Sequence, residues 1–170
     1  MNMTPEYEQY CIEQAEAWLA KVRKLVDMAA RLEDSATAQL AAADNLKGID
    51  YSAIRVQTSP TADAIPNAII KHEQMGATFK ELSESATATV KEASKALASM
   101  DDPTEATCLQ LYYIDDGENN RPAESWEYVC VKMHYTYDGM MKLRRRAMLH
   151  AYAVMPHTER DPTYRADAGS

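Results

Sequence analysis

The basic side chains of this chain concentrate in one short segment, residues 129–150. Lys132, Lys142 and Arg144 to Arg146 stand there against the single acidic residue Asp138, although the whole chain has a formal net charge of −8. Lys and Arg bind phosphate groups, and they also recognise base edges in the DNA major groove. The segment is therefore where nucleic-acid binding is predicted, while the acidic remainder argues against a general affinity for nucleic acid.

The residue types that hold metals or act as nucleophiles are present, but not at the spacings that such sites need. Cys11, Cys108 and Cys130 form no CxxC pair, and the four histidines form no HExxH motif. Each cysteine lies among apolar neighbours and is predicted to be a buried free thiol. With no nucleophile–base pair and no phosphate-cradling glycine loop, the sequence predicts no metal, no cofactor, no catalytic residue and no enzyme.

The composition predicts that helices position the basic segment. Glycine is scarce, at 5 of 170 residues, while the helix-favouring Ala, Leu, Glu, Lys and Met are plentiful. Small and apolar residues recur at alternating steps of four and three, which is the heptad pattern of packed helices. The first row predicts a helix from Pro5 to Asn45, ended by Lys47-Gly48, and comprises Cys11, Ala15, Trp18, Val22, Leu25, Ala29, Leu32 and Ala36.

A second heptad row runs from Ile65 to Met100 and predicts another long helix. His72, Gly76 and Ser83 weaken its apolar character in the middle. We interpret His72 as a polar break in the row rather than as a ligand, because no second ligand stands one turn away.

Together the two rows predict an all-α fold that begins with a long antiparallel helical hairpin, coiled-coil-like, over residues 1–100. Its loop is expected at about residues 46–62, where Gly, Pro, Ser and Thr cluster. The hairpin could also hold a second copy of the chain, which makes a homodimer one of the predicted assemblies.

Residues 103–155 form the second predicted domain, which is built from shorter helices. Asp101-Asp102-Pro103 ends the hairpin and caps a helix of residues 104–114. An exposed acidic loop of residues 115–122 is predicted next. Residues 156–170 form a polar tail that is expected to fray.

Residues 125–148 carry the pattern of a helix-turn-helix, in which two short helices cross at a tight turn. Ser125 and Thr136 are the predicted N-caps of the two helices. Cys130 is the small residue at the crossing, and His134-Tyr135 form the turn. The positions predicted to be buried are Val129, Met133, Met140 and Leu143.

The outer face of the second short helix is the predicted DNA-binding surface. Its side chains could meet base edges in a major groove, and they are Tyr137, Asp138, Gly139, Met141, Lys142 and Arg145. Lys132, Arg144 and Arg146 are predicted to lie near phosphates. Arg146 has a second interpretation, as an internal partner of Glu124 or Glu127.

Residues 101–148 contain a longer set of motifs, which comprises Asp101-Asp102-Pro103-Thr104-Glu105, Leu109, Leu111, Tyr113-Ile114, Ser125-Trp126-Glu127, Val129-Cys130, Met133, Tyr135-Thr136, Met140, Leu143 and Arg146-Ala147-Met148. These motifs resemble those of phage and prophage transcriptional regulators of the RinA/ArpU type. The resemblance implies a C-terminal domain similar to region four of sigma factors, behind a long helical N-terminal part. It also implies a transcription regulator that binds double-stranded DNA or host RNA polymerase. Tyr112 stands where the family has Arg, and the loop before Trp126 is longer and acidic.

Two hypotheses of different classes follow. In the first, a phage-type transcription regulator binds promoter DNA or host RNA polymerase through residues 129–150. In the second, a protein-binding phage or prophage module docks onto host polymerase or a defence protein through its acidic helical surface, without reading DNA. Residues 1–6 form no apolar leader and no run approaches about 18 apolar residues, so either protein is expected in the cytoplasm of a bacterial host.

Overall fold

The computed structural model describes residues 3–49 and 64–161 of the chain. Within these ranges the regular structure is helical and contains no β-strand, so the predicted all-α class is confirmed. The helices are α1 (Pro5–Lys47), α2 (Ala64–Ala98), α3 (Pro103–Tyr113), α4 (Trp126–Met133) and α5 (Tyr137–Val154), followed by a 3-10 turn at His157–Glu159.

The two long helices begin and end close to their predicted bounds. α1 continues to Lys47, two residues beyond Asn45, and Gly48 follows it as predicted. The predicted loop of residues 46–62 therefore begins later, and its residues from 50 onward lie outside the described part of the chain. The heptad spacing also predicts burial correctly, because every described member of both rows is buried or half-buried.

The chain divides into two compact units. Unit 1 comprises Met1–Val26 with Ala88–Ser170, and unit 2 comprises Asp27–Thr87. The boundaries between the units lie inside α1 and α2. The sequence predicted domain bounds from the residues that end one helix and begin the next. Those domains, at residues 1–100, 103–155 and 156–170, stay a prediction about domain organisation.

In unit 2, residues of α1 meet residues of α2 in opposite chain order. The Ser83 hydroxyl donates a hydrogen bond to the Ala29 carbonyl at 3.0 Å, and His72 Nδ1 lies 2.6 Å from Gln39 Oε1. His72 is thus a hydrogen-bonded polar break in the heptad row, as interpreted from the sequence. Two of the residues that weaken the apolar row therefore make polar contacts between the helices.

Gly76 lies at a close approach of the helices in unit 2. A Cβ atom at this position would lie 2.9 Å from Leu40 Cγ and 3.4 Å from the Ala36 carbonyl oxygen. A side chain would therefore push Leu40 aside, and glycine lets the two backbones pack closely.

Unit 1 has a single apolar core to which all five helices contribute. Trp18 and Leu97 lie in the same cluster, as expected if the start of α1 meets the end of α2. Asp102 caps α3 as predicted, accepting hydrogen bonds from the Thr104 and Glu105 N–H groups. The largest fully buried apolar side chains of this core are Leu19, Val22, Leu97, Leu109, Val129, Met140 and Met148.

The acidic loop of residues 115–122 is more ordered than predicted. The Asp116 side chain, expected to be exposed, is buried and accepts hydrogen bonds from the Glu118 N–H at 2.9 Å and the Asn119 N–H at 2.7 Å. It also accepts one from Asn119 Nδ2 at 2.8 Å. These hydrogen bonds, those of Asn119 first, lower the pKa of Asp116 to about 2.

The start of the predicted tail makes defined contacts with α1 and α5. The Arg160 guanidinium donates hydrogen bonds to the carbonyls of Tyr152 and Ala153 at 3.0 and 3.1 Å, near the end of α5. The last carbonyls of a helix lack internal partners, so a cation placed there stabilises the helix end. Glu159 also forms an ion pair with Lys21 at 2.6 Å. Residues 162–170 of the predicted tail lie outside the described residues.

Candidate nucleic-acid interface

Residues 125–150 form two capped helices joined by a short turn rather than one continuous helix. Ser125 accepts a hydrogen bond from the Tyr128 N–H at 3.2 Å, and Thr136 accepts one from the Gly139 N–H at 3.2 Å, so both predicted N-caps are confirmed. His134 ends α4 in the left-handed region, with φ at +59°. A left-handed residue at this position turns the chain away from the helix axis.

The facing sides of α4 and α5 are buried in the unit 1 core. Val129, Cys130, Met140 and Leu143 all belong to it, as predicted. Met133 was predicted to be buried, but it is half-buried and packs against this core, as does Trp126.

The first two turns of α5 present most of the predicted base-reading residues to solvent. Tyr137 is 51% exposed, and Asp138 and Lys142 are also exposed, while Met141 is half-buried. Gly139 is half-buried, and a Cβ atom there would lie 3.0 Å from Thr136 Oγ1. The glycine therefore leaves room for the hydroxyl that caps the helix.

Two of the predicted phosphate-binding cations are held by groups of unit 1. Lys132 donates to the Asp116 carbonyl and forms an ion pair with Glu118 at 3.2 Å. Arg144 forms an ion pair with Glu16 of α1. Both cations are therefore neutralised within the unit.

The next two arginines are also paired. Arg145 donates from Nε and Nη2 to one carboxylate oxygen of Glu8, at 3.0 and 2.8 Å. Arg146 Nε lies 3.3 Å from Glu105, which is only 2% exposed. The internal pairing considered for Arg146 is confirmed, but the predicted partners Glu124 and Glu127 were wrong.

Lys142 differs from the other four cations. Among residues 3–49 and 64–161, no carboxylate lies within ion-pair distance of its ammonium group. The acids that neutralise the others come from α1, from the N-terminal turn of α3 and from the acidic loop. The positive charge available at the outer face of α5 is therefore much smaller than the sequence suggests.

Arg144 also takes part in a stack of four side chains that links α1, α3, α4 and α5. Its guanidinium lies 5.3 Å from the centroid of the Trp126 ring. Trp126 stacks on Tyr112 at 4.1 Å between centroids, and Arg23 covers the other face of Tyr112 at 4.5 Å. Two cations over two stacked rings stabilise the junction of the helices. Arg144 thus has a structural role that competes with binding phosphate.

The carboxylate of Glu105 links α3 to α5. It is buried at the first turn of α3 and receives both Arg146 and a hydrogen bond from His150 Nδ1 of α5. A buried carboxylate requires such partners, because an unpaired charge in the interior is very costly. Two turns of α5 are thereby fixed against the start of α3.

Sequence reasoning missed an exposed apolar patch around the turn between α4 and α5. Val131 is 77% exposed and Tyr135 is 39% exposed, next to the exposed Tyr137. From the sequence, Val131 looks like a core residue, because it is apolar and follows the buried Cys130. Only the orientation of α4 shows that the Val131 side chain points outward. Large apolar side chains grouped at the surface often mark a binding site.

Comparisons with protein-family models, with curated proteins and with solved structures found no match to this chain. In the described ranges, no group of three or more His, Cys, Asp or Glu side chains is arranged to hold a metal ion. None of the described helices combines the length and apolar character needed to cross a bilayer.

Proposed function

We propose that this chain is a phage-type transcription regulator that binds promoter DNA, or RNA polymerase at a promoter, through α4 and α5. The observation that carries the proposal is the pair of capped helices α4 and α5, joined by a short turn, with the first turns of α5 exposed. A helix-turn-helix domain places the second helix of such a pair in a major groove. The resemblance to RinA/ArpU regulators supports the same assignment, with residues 1–100 as the helical hairpin.

The ion pairs narrow the proposed contact set. We assign Tyr137 and Lys142 to base edges and the adjoining phosphate, because both are exposed and no described carboxylate pairs with Lys142. Met141 is half-buried and packs against the unit 1 core, so it contributes less to this surface. Lys132, Arg144, Arg145 and Arg146 act first as structural residues. We propose a binding protein of the bacterial cytoplasm, without catalytic activity.

Fluorescence anisotropy with labelled duplex from immediately upstream of the coding gene tests the proposal. Each phosphate contact contributes about −0.9 to the slope of log K against log salt. With Lys142 as the one free cation we expect a slope of about −1, rather than the roughly −4 to −5 of five free cations. Lys142→Ala should weaken specific binding at least tenfold. Lys91→Ala, which removes an exposed lysine from α2, is the matched control. Equal affinity for upstream and random duplex would exclude sequence reading.

A second candidate function is supported by the same ion pairs. A surface with little free positive charge and an exposed patch of Val131, Tyr135 and Tyr137 suits a protein partner better than a phosphate backbone. In this case the chain would bind host RNA polymerase or a defence protein without contacting DNA.

Titration of labelled chain with purified RNA polymerase in the absence of DNA separates the two candidates. Binding that is lost in Val131→Glu and kept in Lys142→Ala would favour the protein-binding module. The reverse pattern, on DNA, would favour the DNA-reading regulator. Glu is well tolerated at Val131, because this side chain is 77% exposed.

A further inference from the structure

Unit 2 carries large apolar side chains that no described residue covers. Met28, Met75 and Leu82 are 46%, 36% and 49% exposed. Leu32 and Phe79, which belong to the heptad rows, are only half-buried. Single apolar residues at a surface are ordinary, but a continuous patch usually has a partner.

Helix geometry places these side chains on one side of the helix pair. The Lys47–Glu73 ion pair and the contact of Leu40 with Gly76 bridge the helices at one edge. Successive residues of a helix lie about 100° apart. Met28 is therefore about 120° round α1 from Leu40, and faces the other edge.

The same reasoning places Met75 about 100° round α2 from Gly76, on the same side as Met28. We call the residues on this side of the helix pair the outer rows. They follow steps of three and four, and they contain a single charged residue, Lys71, and neither Asp nor Glu. The outer rows comprise Met28, Leu32, Ser35, Gln39, Ala42 and Leu46 on α1, and Ala68, Lys71, Met75, Thr78 and Leu82 on α2. Gln39 lies at their inner edge, because its side chain also contacts His72 between the helices.

We propose that a second copy of this chain packs against the outer rows, so that two helix pairs form a four-helix interface. From Met28 to Leu46 the row is about 27 Å long at 1.5 Å per residue. Two helices side by side offer a width of about 18 Å. Each copy therefore buries about 500 Å², and the pair about 1,000 Å², which is the lower limit for a specific interface.

A second copy suits this face better than an unrelated partner for two physical reasons. A two-fold interface brings the same patch of both copies together, and a patch without acidic residues and with one lysine repels itself little. Two helical hairpins that pair through apolar faces also form a four-helix bundle, a stable way to cover both. The outer rows thus supply a surface for the homodimer that the sequence predicted. The dimer proposal does not depend on DNA recognition.

Sedimentation velocity of the full chain from about 1 to 100 µM tests the proposal over the range of weak to moderate dimers. We expect a reversible dimer in the wild type. The double variant Met28→Glu/Leu82→Glu should raise Kd more than 100-fold, with an unchanged helical circular dichroism spectrum. The matched control is Ile70→Glu, which alters an apolar residue of α2 that is 50% exposed and lies about 120° from Leu82; it should dimerise like the wild type.

A charge-exchange experiment guards against misfolding as the cause of dissociation. Mixing the Met28→Glu/Leu82→Glu chain with a Met28→Lys/Leu82→Lys chain should restore a dimer, which a misfolded variant would not do. A wild type that stays monomeric at 100 µM overturns the proposal. The proposal also fails if the wild type dimerises but Ile70→Glu disrupts the dimer and the double Glu variant does not. DNA affinity is measured in a separate experiment, so failure of the dimer proposal would leave the proposed DNA binding untouched, and the reverse also holds.

Discussion

Glu105 offers a sharp test of how unit 1 is held together, because removing its partners should cost much more stability than removing the carboxylate itself. The side chain is 2% exposed, whereas Arg146 and His150 are 64% and 63% exposed. If Arg146 and His150 are both replaced by Ala, a buried negative charge loses its partners. Breaking a buried pair in this way costs about 3–5 kcal/mol.

Replacing Glu105 by Met should cost much less. Arg146 and His150, which remain, are more than half exposed, so water can solvate them, and Met fills a similar volume with an apolar side chain. Substitution of a buried ion pair by apolar residues is often neutral or stabilising. We expect a change within about 1 kcal/mol, most of it the loss of an acidic residue from the first turn of α3.

Urea unfolding at pH 7, followed by circular dichroism at 222 nm, measures both effects. With an m value of about 1–3 kcal/mol per molar urea, the Arg146→Ala/His150→Ala variant should lose at least about 1 M in its midpoint. The triple variant should recover the stability of Glu105→Met, because the burial of an unpaired charge is then abolished. Glu127→Met, at an exposed first-turn acid of α4, controls for the helix-dipole effect. A Glu105→Met variant less stable than the double Ala variant would refute the reasoning.

Four further outcomes are expected. Glu8→Gln, which frees the Arg145 guanidinium, should raise affinity for any duplex about threefold to tenfold at low salt and steepen the salt slope by about 0.9; unchanged anisotropy titrations would contradict this. His134→Gly should raise the free energy of unfolding by about 1 kcal/mol, since a left-handed non-glycine residue is strained; a loss in urea midpoint would mean that the imidazole matters more. Asp116 has a pKa lowered to about 2 from an ordinary value near 3.8, so its contribution to stability is present above pH 4 and is lost as the pH falls towards 2. The stability gap between wild type and Asp116→Asn should therefore narrow from pH 5 to pH 2, and a constant gap would disprove the assignment. Finally, Ellman's reagent should react with none of the thiols in the native protein and with all three in urea, because burial raises the pKa of Cys11, Cys108 (to about 12) and Cys130.

The helices could be predicted because their signals are local. The four–three rows predicted α1 and α2, and the caps Asp102, Ser125 and Thr136 predicted the starts of three shorter helices, each through hydrogen bonds to residues two or three positions on. The charged contacts could not be predicted in this way. Nothing in the sequence near Arg145 indicates Glu8, which is 137 residues away, and only the folded core brings them together.

The same distinction explains why the candidate site was predicted only in part. Periodicity assigns Tyr137 and Lys142 to the outer face of α5, because facing inward or outward depends on spacing within one helix. Whether a cation on that face is free depends on the acids of neighbouring elements. The buried Asp116 was missed for a related reason, since a run of acidic and Asn residues usually marks a solvated loop.

The core of unit 1 unites the two ends of the described chain, and this has a consequence for synthesis. Trp18, Leu19 and Val22 pack in the same cluster as Met155. A ribosome that adds about 5–20 residues per second releases Met155 on the order of ten seconds after Val22. Throughout that interval the apolar face of α1 lacks part of its native core, and we expect the nascent chain to be a substrate for holding chaperones. A fragment that begins at α3 would have the converse defect, because it can never acquire the α1 side chains around which its helices close.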